Sequence, residues 1–176
     1  MILIALGSTP NVMARLRFAS AMDSGPFSTI GFDAMTEPDF LRLGPGDGRL
    51  LLNVAEDVFD FDFEPARLDD FLNDANHVLI VARLGGRVIG QIAAVLHRHI
   101  DAPPDLYIDN LGVTPEHRRQ GVATRLVELA LGGGQDLGCT GAWVVTEVCN
   151  DAAAALYSRT GAVRQSVAMF SYQADD

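Results

Sequence analysis

The segment Arg118-Arg119-Gln120-Gly121-Val122-Ala123 constrains the chain most, because it joins two stretches that follow different periods. Upstream, Leu106 to Val113 alternates in the manner of a strand. Thr114-Pro115-Glu116 breaks that strand, and beyond Gly121 the apolar residues Val122, Leu126, Leu129 and Ala130 recur at helical spacing. Gly132-Gly133-Gly134 is where the helix is expected to stop. A glycine thus stands at a helix start. The first N–H groups of such a helix lack intrahelical partners, and with the helix dipole they can hold a phosphate. Gly121 lets a ligand approach the backbone, Ala123 keeps the next turn clear, and Arg118 and Arg119 add charge for phosphate oxygens. The Lys-Ser/Thr pair of a nucleotide P-loop is absent, and so is a dinucleotide fingerprint. Alone, the hexapeptide reads first as a helix-leading turn flanked by surface arginines, so its neighbours must decide.

A chain of 176 residues with 48% apolar and 20% charged residues suits one globular domain with a proper core. Its net charge is -10, and all 13 basic residues are arginines. That balance disfavours nucleic acid and anionic membrane as partners and favours a cationic substrate. Cys139 and Cys149 cannot make a disulfide framework, and no Cys/His cluster has zinc spacing. His97 and His99 alternate along a strand without an evident third ligand, so no metal is expected. No apolar run approaches membrane-spanning length, and Met1 to Leu6 lacks the basic leader of a secretory signal, so a cytoplasmic location is expected.

Residues 1–38 show no persistent period and read as an arm or extension, with the domain proper over 39–176. Phe40 to Leu43 reads as a short strand, and Gly44-Pro45-Gly46-Asp47 as a turn into a helix through Leu51, Leu52, Ala55 and Val58. The next segment carries Glu56, Asp57, Asp60, Asp62 and Glu64 among Phe59, Phe61 and Phe63. It reads as an aromatic and acidic wall for ammonium groups, or as a solvated acidic loop with its rings packed inward. A short helix follows Pro65, with Leu68, Phe71 and Leu72 inward. His77 to Leu84 and Arg87 to Leu96 form a hairpin about Gly85-Gly86. After the central helix come a strand over Gly141 to Thr146, a helix from Ala152 to Thr160 capped at Asn150-Asp151 and ended by Gly161, and a last strand over Val163 to Tyr172.

This order of parts, with Arg118, Gly121 and Ala123 in a Gln/Arg-x-x-Gly-x-Gly/Ala pattern and Ala155-Leu156-Tyr157 on the last helix, resembles the GNAT N-acetyltransferase superfamily. The stretches Leu106 to Ile108, Glu116 to Thr124 and Ala155 to Tyr157 are most similar to the GNAT-type aminoglycoside 3-N-acetyltransferases. One departure stands out: that branch often has an aspartate directly before the Leu-x-Val tripeptide, where this chain has Asn110, with Asp109 one position earlier. Successive strand residues face opposite sides, so the two positions are not interchangeable.

The resemblance implies an α/β (α+β) fold with a mixed, mostly antiparallel central sheet flanked by about four helices. It implies acetyl-CoA as donor, with the pyrophosphate on the turn Arg118, Arg119, Gln120, Gly121, Val122, Ala123 and Thr124. Pantetheine would run along Leu111, Gly112 and Val113 like an added strand, with Asn150 and Tyr157 further along. The acceptor is then an aminoglycoside amine, the 3-amino group by this branch, attacked directly in a ternary complex to give antibiotic resistance. Asp109 is the expected base or ammonium anchor, with Glu147 second, and Tyr157 the acid for the leaving thiolate. Glu56, Asp57, Asp60, Asp62, Asp109, Asn110 and Glu147 would meet the substrate. A homodimer is a family expectation. Acetylation of another small amine or a protein amine, or CoA binding without catalysis, stands as the alternative.

Overall fold

The computed structural model describes residues 37–62 and 64–172, so the reading of 1–38 as an arm falls almost wholly outside the described residues. Five strands make one sheet in chain order: β1 (Asp39–Leu43), β2 (His77–Leu84), β3 (Arg87–His97), β4 (Asp105–Val113) and β5 (Gly141–Val144). The first four pair antiparallel and β5 joins β4 in parallel. A parallel pair needs a crossover, and helix α2 (Val122–Asp136) supplies it between β4 and β5. Helix α1 (Pro65–Asn73) precedes β2, helix α3 (Asp151–Arg159) follows β5, and single 3-10 turns occupy Asp47–Leu51 and Pro115–His117.

The β2–β3 hairpin forms because Gly85 and Gly86 both accept positive φ, at 57° and 82°, which a primed two-residue turn requires. Its strands are buried on both faces. On one, Ile92, Ala94 and Leu96 of β3 and Leu106 and Ile108 of β4 pack with Val122, Leu126, Val127 and Ala130 of α2. On the other, Leu79, Val81, Val88 and Ala93 pack with Leu51, Ala55, Val58 and Leu72. Each fully buried aliphatic of this kind contributes about 1.5–3 kcal/mol.

Four sequence expectations are corrected. Helix α2 does not stop at Gly132 but runs through the glycines to Asp136. Glycine costs about 1 kcal/mol per helical position, and the apolar face docked on the sheet outweighs this. Gly134 also packs closely there, since a Cβ would approach Leu106 Cδ2 to 3.1 Å. The helix ends instead at Gly138, whose φ of 88° suits a left-handed cap. Second, the helix anticipated through Leu52 and Val58 is only the 3-10 turn Asp47–Leu51; beyond it Val54 bridges to Val88, so the chain is held by the sheet rather than by its own turns. Third, residues 163–172 form no strand. Their alternation suits a sheet, but a strand exists only with a partner, and among the described residues none pairs with them. The strand read over Gly141 to Thr146 ends at Val144.

Candidate functional site

The site is built where β4 outruns β5. β5 pairs with β4 only over Asp105 to Ile108, so among the described residues no strand lines the outer edge of Asp109 to Val113. At that point β4 also carries a bulge. Asn110 pairs with Ala93 and Ile108 with Ala94, which leaves Asp109 as the extra residue. Exposed Asp109 is therefore turned outward, and the register beyond it shifts by one. The sequence departure at Asp109-Asn110 thus falls on the one place in the strand where simple alternation fails.

Below this edge α2 begins. Gly121, at φ 88°, and Arg119, at φ 63°, fold the turn tightly. No side chain caps the helix, and the N–H of Arg125 bonds the Gly121 carbonyl at 2.9 Å. The amides of Val122, Ala123 and Thr124 accordingly face out of the helix start, as an anion site requires. Buried Val122 anchors the turn in the core, while Arg119 and Gln120 are exposed. Arg118 is partly committed elsewhere: its Nε donates to the Val113 carbonyl at 2.8 Å, and its terminal nitrogen lies 3.6 Å from Asp57. It locks the turn to the end of β4. Gln120 Nε2 donates to the Glu116 carbonyl at 2.9 Å and braces the same turn.

Above the bulge lies an acidic cleft. Val54, Ala55, Glu56, Asp57, Phe59, Asp60, Phe61 and Asp62 line a volume of about 770 Å³, and an adjoining pocket of about 270 Å³ shares Phe59, Asp60, Phe61 and Asp62 and adds Glu64, Arg67 and Asn110. Such a volume suits a small ligand. Phe63 lies outside the described residues. Asn110 ties the cleft to the strand: its Nδ2 donates to Asp60 at 2.7 Å, and its Oδ1 accepts from Gln91 Nε2. Gln91 is fully buried and also donates to the Val58 carbonyl at 3.2 Å. The acidic loop is thus pinned to β3 and β4 by one amide chain. Gly112 permits this closeness, because a Cβ there would collide with the Val58 carbonyl group, whose carbon would stand 2.9 Å away.

Tyr157 on α3 packs against the α2-side core, and burial raises its phenol above the usual 10.0, so it stays protonated at physiological pH. Asn150 caps α3, its Oδ1 accepting from the Ala153 N–H at 3.0 Å. Glu147 is exposed and accepts from Cys149 Sγ at 3.6 Å. Sequence reasoning missed two residues. Tyr107, two positions before the bulge, is raised above 10.0 by burial, then by the charge of Asp109 and a hydrogen bond to it. Gln91 was the available signal for the second, a polar residue within the apolar run Val88 to Leu96. The sequence-predicted residues thus fall into an amide cradle with a free strand edge, an acidic cleft joined to it by Asn110, and the α3 group of Glu147, Asn150 and Tyr157.

Residues 49–162 match the Acetyltransferase (GNAT) family model. N-acetyltransferase 8 of Rattus norvegicus is 32% identical over 95 residues, covering 52% of this chain and 41% of that protein. An uncharacterized N-acetyltransferase of Mycobacterium tuberculosis is 28% identical over 102 residues, covering 58% of this chain and 63% of that one. The chain spans less than two thirds of the length of these curated relatives. Among solved structures, the aminoglycoside acetyltransferase HMB0005 from an uncultured soil metagenomic sample superposes with a TM-score of 0.69 at 26% identity, covering 78% of this chain and 99% of that chain. AAC(6')-Iy, in complex with the bisubstrate analog CoA-S-monomethyl-acetylneamine, gives 0.67 at 18% identity, covering 79% and 99%. The fold is the GNAT fold, with its mixed five-stranded sheet and helices on both faces. With the matched segment running from the 3-10 turn before the acidic loop to the glycine that ends α3, the chain belongs to the acetyltransferase (GNAT) family.

Proposed function

We propose that the protein transfers an acetyl group from acetyl-CoA to an amine of an aminoglycoside. The observation that carries this reading is the continuity of the two half-sites: Asn110 stands on the free edge of β4 and in the wall of the acidic cleft at once. Pyrophosphate rests on the amides after Gly121, pantetheine pairs with Leu111 to Val113, and the acetyl group arrives beside the bulge. The carboxylates of Glu56, Asp57, Asp60 and Asp62 hold the ammonium groups of the acceptor, and Phe59 and Phe61 flank its rings. Support for a cationic sugar amine comes from this chemistry and from neighbours of the same fold named as aminoglycoside acetyltransferases.

The acceptor amine must lose a proton to attack the thioester carbonyl. Asp109, presented outward by the bulge, takes it directly or through water, with Glu147 as the second candidate. The C–N bond forms as the C–S bond breaks, and Tyr157 donates a proton to a leaving thiolate whose thiol has a pKa near ~8.5. Transfer is direct in a ternary complex, and exposed Cys149 does not carry the acetyl group. The 3-amino group is the position given by the sequence resemblance. Two copies associate through the exposed apolar residues Val163, Val167, Met169, Phe170 and Tyr172, all of them solvent-facing.

The test is thiol release from acetyl-CoA against a panel of aminoglycosides, with the acetylated nitrogen located by NMR. Turnover that depends on both substrates and survives Cys149→Ala supports the proposal. A product acetylated at the 6′ nitrogen would move the position alone. Tight acetyl-CoA binding with no thiol release on any member of the panel would overturn aminoglycoside acetylation.

A further inference from the structure

The β3–β4 connection gathers three ligand-type side chains that the sequence keeps apart. His97 ends β3, His99 follows in the loop, and Asp105 opens β4. Their donor atoms all lie within 4.8 Å of one another. His97 Nδ1 stands 3.7 Å from one Asp105 oxygen, and His99 Nε2 stands 3.3 Å from the other. Tetrahedral coordination at zinc bond lengths of about 2.0–2.2 Å sets ligand atoms about 3.4 Å apart, and the two histidine–carboxylate spacings, each to a different oxygen of Asp105, approach that value. The third closes by rotation of His97, whose side chain is 56% exposed and leaves an open path for an ion.

The surroundings are those of a ligand set. The Trp143 indole N–H donates to Asp105 Oδ1 at 3.1 Å and orients the carboxylate, as donors behind a metal ligand do. Trp143 is itself held by stacking on Tyr107 at 4.3 Å. Arg98, between the two histidines, donates to Asn76 at 2.8 Å and does not neutralise the carboxylate. A simple ion pair would account for one imidazole on Asp105. The second ring stands beside the first, with centroids 4.7 Å apart, so both imidazoles converge on one carboxylate. A single dication satisfies both neutral rings and the carboxylate together.

We propose that His97, His99 and Asp105 bind a divalent transition metal of the zinc type, with solvent completing the coordination. Asp105 lies five positions before Asn110, roughly 16 Å along an extended strand, so this centre is separate from the acetyl-transfer cleft. Its place at the joined ends of β3, β4 and β5 makes it a clip for the sheet rather than a participant in the reaction.

The chain contains one tryptophan, and it contacts the proposed ligand, so it reports on binding directly. Untagged full-length protein is titrated with Zn²⁺, and separately with Co²⁺, in excess Mg²⁺. Trp143 emission is followed, and bound metal is counted after dialysis. The expected result is one ion per chain, a saturable emission change at the same stoichiometry, and visible Co²⁺ absorption of a nitrogen and oxygen ligand field. His97→Asn, His99→Asn and Asp105→Asn should each weaken binding about tenfold or more. His117→Gln, on the 3-10 turn at the far end of β4, should leave it unchanged. Failure to take up metal, or uptake that persists in the His97→Asn/His99→Asn double variant, would overturn the proposal.

Discussion

Gly112→Ala and Gly133→Ala add the same methyl group and should act with opposite sign. At Gly112 a Cβ would collide with the Val58 carbonyl group, backbone against backbone, so neither side can yield by a rotamer change. Overpacking costs about 1–3 kcal/mol. Displacing Val58 also strips its carbonyl of the bond from fully buried Gln91 Nε2, which adds about 1–2 kcal/mol. The sum is roughly 2–5 kcal/mol, or a fall in Tm of about 4–20 °C for a chain of this size. At Gly133 nothing lies within 4 Å of the added carbon and the residue sits inside α2, so alanine should stabilise by about 0.5–1 kcal/mol. Thermal melts and urea titrations of the two variants measure both values. The acidic loop moves with Val58, so kcat/KM for the amine should fall about a hundredfold in Gly112→Ala, as misplacement by about 1 Å does elsewhere. A Gly112→Ala protein that melts within about 1 °C of the parent would refute the close approach on which the cleft depends.

Tyr157→Phe should lower kcat by about tenfold or more with little change in KM, the pattern of a lost proton donor, as steady-state kinetics will read. Because burial holds the folded Tyr157 above 10.0, the unfolded chain ionises first, and stability should fall as pH rises past 10.0; the slope in alkaline melts should be smaller in Tyr157→Phe. Asp109→Asn should lower kcat by about tenfold or more, and unchanged turnover would move the base elsewhere. Val167→Asp with Phe170→Asp should convert a dimer to a monomer by sedimentation, with the melt of the domain itself little altered because both positions are solvent-facing.

Much of the fold is legible in the residues because its signals are local. Gly85-Gly86 announces a primed turn, Asn150 a helix cap and Gly121 a helix start, and each acts through its own backbone. What alternation cannot reveal is a register slip. The bulge that turns Asp109 outward and Asn110 toward Gln91 depends on the pairing with β3, so a strand read alone misplaces one of the two. Gly132 to Gly134 misled for a related reason: propensity ends a helix there, and packing of Gly134 against Leu106 continues it. The histidine pair and Asp105 meet only when the β3–β4 hairpin closes, and Gly112 owes its identity to Val58, 54 positions away. Residues 163–172 show the converse, a strand-like pattern for which the described chain holds no partner.

Amide hydrogen exchange with and without acetyl-CoA tests the placement of the donor most directly. Slowing should be confined to two peptides, one covering Asp109 to Val113 on the free edge of β4 and one covering Arg119 to Thr124 at the start of α2, with a weaker effect at Asn150 to Tyr157. Saturable binding that leaves the first two segments unprotected, or that protects another surface in their place, would contradict it.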